Sequence, residues 1–297
     1  MNFINNLIVW ILPFTPKSII KIFAKNYVAG VDSKHSLNVI KKINTKGIKA
    51  TIDILGEHTN SIEECLNITN HYIGLLENIE KRKLECNLSI KPSHIGSDIN
   101  FDTVLKNFKS IQHKAINFNN FIRIDMESSK LTNTTIKLYN TLKSISSNIG
   151  IVFQAYLYRT EQDILKLKKG DNIRLCKGIY KEDSSIAYTD YNDINTNYLK
   201  LLNIAFKKEI FVGIATHDPI LINKCIDLIK EMNINSEMFE FQYLYGVPMD
   251  KAMKIIKSYD YNIRCYVPYG DNWYVYSIRR IKENPKIASY VIRNIFK

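Results

Sequence analysis

Arg279 and Arg280 stand side by side in the stretch YSIRRIKENP, near the end of the 297-residue chain. A guanidinium is a flat fork of donors that fits a carboxylate, so two together could grip one small anion from two directions. Neighbours in a helix point about 100° apart and do not share one solvent stripe. Tyr276, Arg280 and Glu283 then fall on one face, and Arg279 stands four residues before Glu283. A surface Arg279–Glu283 pair, worth a few tenths of a kcal/mol, is the plain alternative.

Further polar groups come at regular intervals, each at the end of a short β-branched run. In chain order they are Asp53 with Glu57, Lys91, Asp125 with Glu127, Gln154, and Arg174 with Lys177. Thr216, His217 and Asp218 follow, then Glu240 with Gln242, and Arg264 with Tyr266. Strands buried on both faces are normally almost all apolar, so such groups need partners. A bound ligand would supply them, and so would an internal network of ion pairs. In RLCKGIYKE, Gly178 lies between basic residues at a strand end, where backbone N–H groups and Lys177 could approach a diphosphate. Neither a Gly-x-Gly-x-x-Gly fingerprint nor a P-loop occurs.

The elements that must position these groups are strands alternating with amphipathic helices. The runs IKATIDIL, CNLSIK, FIRID, IGIVFQAYL, NIRLCK, IFVGIAT, MFEFQYL and YNIRCYVP read as eight strands. Between them lie helical segments such as SIEECLNITNHYIGLLENIEKRK, NTTIKLYNTLKSISS and PILINKCIDLIKEMN, the last opened by a proline after Asp218. Eight β-then-α units without a linker point to a (β/α)₈ barrel over residues 47–297, preceded by a helical segment over residues 1–46. An open doubly wound sheet is the alternative. In the final helix Asp271 or Asn272 can form the N-cap, and Pro285 ends it.

A net charge of +12 suits an anionic surface, but the lysines are scattered among Asn and Ile rather than grouped. Nucleic acid is not expected as a partner. Five widely separated cysteines fit a reducing compartment and no disulfide framework, and the histidines show no metal-ligand spacing. The apolar run LIVWILPF is cut by Pro13 and Pro16, well short of the roughly 20 residues of a spanning helix. It either packs on the domain or lies on a membrane surface.

Six stretches, SIKPSHIG, IRIDMES, VFQAYLYRT, RLCKGIYKE, FEFQYLYG and YVPYGDNWYVYSIRRIKENP, occur in this order. With YVAG at Tyr27 and DILGE at Asp53 they make the chain resemble the proline dehydrogenases, in particular the short monofunctional bacterial ones. The resemblance implies a distorted barrel with FAD held noncovalently at its mouth. It implies oxidation of L-proline to Δ1-pyrroline-5-carboxylate, with hydride passing from C5 to flavin N5 and electrons going on to membrane quinone. It also implies a cytoplasmic location, with peripheral contact at the inner face of the cell membrane as the further option.

By position in these motifs, Arg279, Arg280 and Lys91 would hold the substrate carboxylate and Tyr266 would pack on the pyrrolidine ring. Asp125 and Arg174 would be catalytic, Arg174 lying near the reactive flavin nitrogen and Asp125 helping to take the amine proton. Met126, Gln154, Arg174, Lys177, Gly178, Ile179, Thr216 and His217 would line the cofactor. Glu240 and Tyr245 fall in the same motifs without an assigned chemistry. Cys176 stands where an aliphatic residue is usual and Tyr243 where Met is common, which bears on how the flavin packs. Two rivals stay in view: a Schiff-base aldolase or lyase built on Lys91 or Lys177, and a basic membrane-associated binding protein.

Overall fold

Alternation along each strand decides the architecture. In Ile122-Arg123-Ile124-Asp125 and Ile173-Arg174-Leu175, aliphatic and charged side chains take opposite faces. The aliphatic set, including Ile52, Leu88, Ile90, Ile122, Ile151, Ile173, Leu175, Val212 and Ile214, is fully buried and joins the helices in one continuous core. Each such side chain contributes about 1.5–3 kcal/mol by leaving water. The outward face therefore supplies stability, and the inward face is free to carry charge.

The computed structural model describes residues 15–283. The apolar run at residues 7–14, Pro285 and the side chain of Glu283 lie outside the described residues. Eight parallel strands pair in sequence and close, with the last beside the first. They are β1 (Lys49–Ile54), β2 (Cys86–Ile90), β3 (Ile122–Ile124), β4 (Ile149–Gln154), β5 (Asn172–Cys176), β6 (Phe211–Ala215), β7 (Phe239–Leu244) and β8 (Ile263–Tyr269). The barrel expected from the eight β-then-α units is thus present; most strands are a residue or two shorter than their apolar runs, β4 stops three residues short at Gln154, and β8 runs one residue further, to Tyr269. The helices are α1 (Lys17–Tyr27), α2 (Ser33–Asn44), α3 (Ile62–Lys81), α4 (Phe101–Asn117) and α5 (Thr132–Lys143). They continue with α6 (Thr160–Leu165), α7 (Tyr191–Lys207), α8 (Pro219–Glu231), α9 (Asp250–Ser258) and α10 (Trp273–Glu283).

Polar caps start several helices at the mouth. Ser61 accepts from Glu64 N at 3.4 Å, Asn100 from Thr103 N at 2.8 Å, and Asp218 from Ile220 N at 3.0 Å. Caps of this kind are worth about 1 kcal/mol each and fix where the loop ends.

One helix departs from the regular ring. α2, which precedes β1, packs against β1 and β8. α10 instead crosses to the mouth, where Asn272 donates to Leu55 O at 3.3 Å and Tyr276 packs with Val28 and Leu55. It is backed there by α1, through Ile20, Tyr27 and Ile281.

The turn after β7 braces this arrangement. Gly246 has φ +79°, and a Cβ there would lie 1.7 Å from Asn26 O at the end of α1. Gly246→Ala should therefore cost on the order of 2–3 kcal/mol. The expected outcome is a Tm lower by several degrees, with α1 and α10 losing hydrogen-exchange protection before the barrel strands; unchanged Tm and protection would refute the brace.

Candidate active site

Three strands converge on one carboxylate. Asp125, just beyond β3, accepts from Ser89 Oγ at 2.5 Å, Arg174 Nη1 at 2.9 Å and the Tyr266 hydroxyl at 2.9 Å. Those donors come from β2, β5 and β8. The Arg174 guanidinium also lies over the Tyr266 ring, 5.0 Å from its centroid. Burial first, then the carboxylates of Asp125 and Asp53, pushes Tyr266 well above the ordinary phenol range, so its hydroxyl remains a donor.

Beside this centre Lys91 Nζ lies 2.7 Å from Asp53 Oδ2. Burial disfavours the ammonium, but Asp53, Asp125 and Glu57 outweigh it and hold Lys91 above its usual value. Burial pushes the Asp53 carboxyl up, with Lys91 pulling the other way. A Schiff-base mechanism needs a neutral lysine, and Lys91 is held protonated. Lys177 is also paired, 3.0 Å from Asp218 Oδ2, with its ammonium 4.1 Å from the Tyr191 ring centroid.

Over the opening, α10 brings its two arginines to different sides. Arg279 makes a bidentate contact with Glu57 of the β1–α3 loop, at 3.0 and 2.8 Å, and lies 5.9 Å from the ring centroid of Tyr180. Arg280 sits over the Tyr276 ring at 5.0 Å. It is near enough to His217 that its charge, after burial and together with Lys177, drives that imidazole down to about 4. His217 Nε2 accepts from Leu244 N at 2.9 Å, which places the proton of the neutral ring on Nδ1.

Lys91, Asp125, Arg174 and Tyr266 thus form one network. Thr216, His217 and Lys177 gather around Asp218, whose backbone N–H donates to Thr216 Oγ1 at 3.2 Å. Gly178 has φ +114° and approaches the Tyr156 ring so closely that a Cβ would fall 2.2 Å from it. Ile179 next to it is 42% exposed and joins neither group. Gln154 links strand ends by donating Nε2 to Met126 O at 3.1 Å and to Glu127 O at 3.0 Å. Its Oε1 is buried without a donor among the described residues. An isoalloxazine ring carries an N–H that this acceptor suits, and Arg174 and Lys177 are the cations that a flavin's ring and diphosphate require. The residues present therefore fit a flavin.

Glu240 and Arg264 lie deeper than their reading as mouth residues implied. Each is the second residue of its strand, and Arg264 Nε donates to Glu240 Oε1 at 2.6 Å inside the barrel. The internal network and the polar groups of the mouth are thus one continuous polar interior. The sequence marked Glu57 as a polar strand-end group without naming its partner, and Tyr180 received no role from it. The signal that could have found Tyr180 is its setting, an aromatic in the Gly178 loop at the mouth.

The family model for proline dehydrogenase matches residues 36–293. The chain belongs to the proline dehydrogenase family. It is 33% identical over 278 residues to proline dehydrogenase 2 of Bacillus subtilis, covering 93% of this chain and 91% of that one. To the proline dehydrogenase of Deinococcus radiodurans it is 32% identical over 280 residues, covering 92% and 90%. Among solved structures, proline utilization A of Bdellovibrio bacteriovorus, inactivated by N-propargylglycine, superposes with a TM-score of 0.81 at 23% identity. That of Corynebacterium freiburgense gives 0.77 at 20%. These cover 88% and 93% of this chain but about a third of those longer proteins, 33% and 32%. Membership makes the chain an oxidoreductase of the proline dehydrogenase type, with a flavin as its redox group.

Glu57 carries a pH signature. Burial pushes its carboxyl up, but hydrogen bonds and charge from Arg279 outweigh this and hold it below the ordinary 4.5. A carboxyl lowered on folding stabilises fully above its unfolded value and loses that contribution as pH falls through the folded one. The α10 tie should hold from neutral pH to about 4.5 and loosen below. Hydrogen exchange should show α10 amides losing protection in that acid range relative to α7, and Glu57→Gln should show the loss already at pH 7. Full α10 protection in Glu57→Gln at pH 7 would count against the tie.

Proposed function

We propose that this chain oxidises L-proline to Δ1-pyrroline-5-carboxylate, using FAD as its flavin and passing electrons to a membrane quinone. The observation that carries the substrate site is Arg279, which already holds a carboxylate, that of Glu57, in the two-point geometry an amino acid would offer. Proline's carboxylate would take up the charge of Arg279, Arg280 and Lys91, an anchor that leaves the ring a single pose. Tyr266, fixed by its bond to Asp125, forms a flat wall against which the pyrrolidine ring would rest.

FAD, when bound, would supply the acceptor for the hydride that leaves C5 with its two electrons. The rest falls to the chain. Proline must lose the amine proton that accompanies this departure, and we assign its acceptance to Asp125. Arg174, held beside Asp125, places a fixed positive charge where negative charge grows as electrons leave the substrate. Gln154, Lys177, Thr216 and His217 would hold the cofactor. α10 with its arginines would cover the mouth and exclude water.

Among the described residues no helix is long and apolar enough to cross a membrane. We propose a peripheral contact instead, through the apolar run at residues 7–14. It adjoins α1, which exposes Ile19 and Ile22 beside Lys17, Lys21 and Lys25.

The purified protein should be yellow, release FAD rather than FMN on denaturation, and reduce a dye when given L-proline. Colourless protein that takes up no FAD would sink the cofactor assignment. Arg280→Met should raise the KM for proline about 100-fold or more, the scale for losing a charged contact of this kind, with a smaller change in kcat. An unchanged KM would move the clamp elsewhere. Protein with residues 1–16 should float with anionic liposomes and protein lacking them should not; equal flotation would exclude that segment as the contact.

A further inference from the structure

The inside of the barrel carries a relay that the reaction as described does not use. Arg264 Nε donates to Glu240 Oε1 at 2.6 Å, and Gln242 Nε2 donates to the same oxygen at 2.7 Å. At its other end Gln242 Oε1 accepts from Arg174 Nε at 2.7 Å. Arg264 is tied in turn to β1, through Nη1 to Ala50 O at 2.7 Å. Glu240 and Gln242 are each 4% exposed.

The amide can take only one orientation. Reversed, its N–H₂ would face the guanidinium N–H and its oxygen would face the carboxylate, both repulsive. The charge of Glu240 therefore sets the amide, and the amide sets Arg174. Without Gln242, the hydrogen bonds of Arg174 to the described residues are made only by Nη1, shared between Asp125 at 2.9 Å and Ser89 Oγ at 3.1 Å, with the Tyr266 ring beside the guanidinium as its one further contact there. A guanidinium fixed at one nitrogen can swing, whereas one fixed at Nε and Nη1 has its plane defined. Its remaining edge, Nη2, makes no hydrogen bond to the described residues and is left for whatever occupies the mouth.

β6 leaves room for this crossing. Gly213 lies in register between Arg174 and Glu240. A Cβ there would come within 2.4 Å of Gln242 Nε2 and 2.8 Å of its amide carbon.

We propose that Gln242 is a positioning residue: its amide, oriented by Glu240 and admitted by Gly213, fixes the plane of the Arg174 guanidinium at the redox centre. Its consequence for the flavin rests on the proposed function; its geometric part does not.

Two variants of the flavin-loaded enzyme test it. Gln242→Leu removes both amide contacts at similar volume. Gly213→Ala keeps the amide but pushes it aside, so a relay effect must appear in both. The expected result is a midpoint potential of the bound flavin shifted to more negative values in each. With it should come a kcat about tenfold lower and a KM for proline within about threefold of wild type. Crystal structures of the variants should show the Arg174 guanidinium plane rotated about its Nη1 contact with Asp125, with Nε turned away from position 242. An unchanged potential in both, or Arg174 in its wild-type position in both, overturns the proposal even if activity falls. Should Gln242→Leu fail to fold, Gly213→Ala alone decides by the same readings. Should the wild-type protein bind no flavin, the proposed function fails, and the position of Arg174 in the crystals still judges the relay.

Discussion

Asp125 accepts hydrogen bonds from three donors on three different strands, and the rest of the site is arranged around that convergence. Ser89, Arg174 and Tyr266 meet there only because the sheet is closed; in an open sheet β2, β5 and β8 would not face one another. A buried charge left alone is expensive, and removing one partner from such a set costs more than the pair itself contributes. The barrel therefore holds its interior as opposed charges in alternation: Arg264 with Glu240, Arg174 with Asp125, Lys91 with Asp53. Such an interior is stiff in the places where a ligand must be held to within a fraction of an ångström.

That interior is affordable because the outward strand face is apolar, aliphatic for the most part with Phe153, Phe239 and Phe241 among its aromatics. Ile122 and Ile124 pack among the helices while Arg123 and Asp125 turn inward, so one strand of three residues and its neighbour serve both core and chemistry. The mouth is then completed from outside the strand cycle. α10 leaves the ring, α2 occupies the place against β1 and β8, and the arginines of α10 reach opposite sides of the opening.

Much of this was legible in the residues. Period-two runs such as NIRLCK and FEFQYL announce strands because alternation survives even where every position is buried. The caps at Ser61 and Asp218 mark helix starts through local chemistry alone. Depth inside the barrel was not legible. Glu240 and Arg264 read as mouth residues because stagger between strands, absent from a linear pattern, sets how far up each side chain reaches. The partner of Arg279 was hidden for a different reason. A helical pairing rule offers Glu283 four residues away, whereas Glu57 lies 222 residues back along the chain. Only closure of the barrel brings them together. Cofactor lining also stayed out of reach, since Ile179 shares a motif with Gly178 yet turns to solvent.

The packing of α1 on α10 has a bearing on how the protein is made. α1 is synthesised more than two hundred residues before α10, yet each buries its apolar side against the other through Ile20, Tyr27 and Ile281. On the ribosome the early helix must wait, its greasy flank uncovered, while all eight strands emerge. The mouth thus gains its cover only once α10 has emerged, and a nascent chain stopped before it, however complete its barrel, would have no roof.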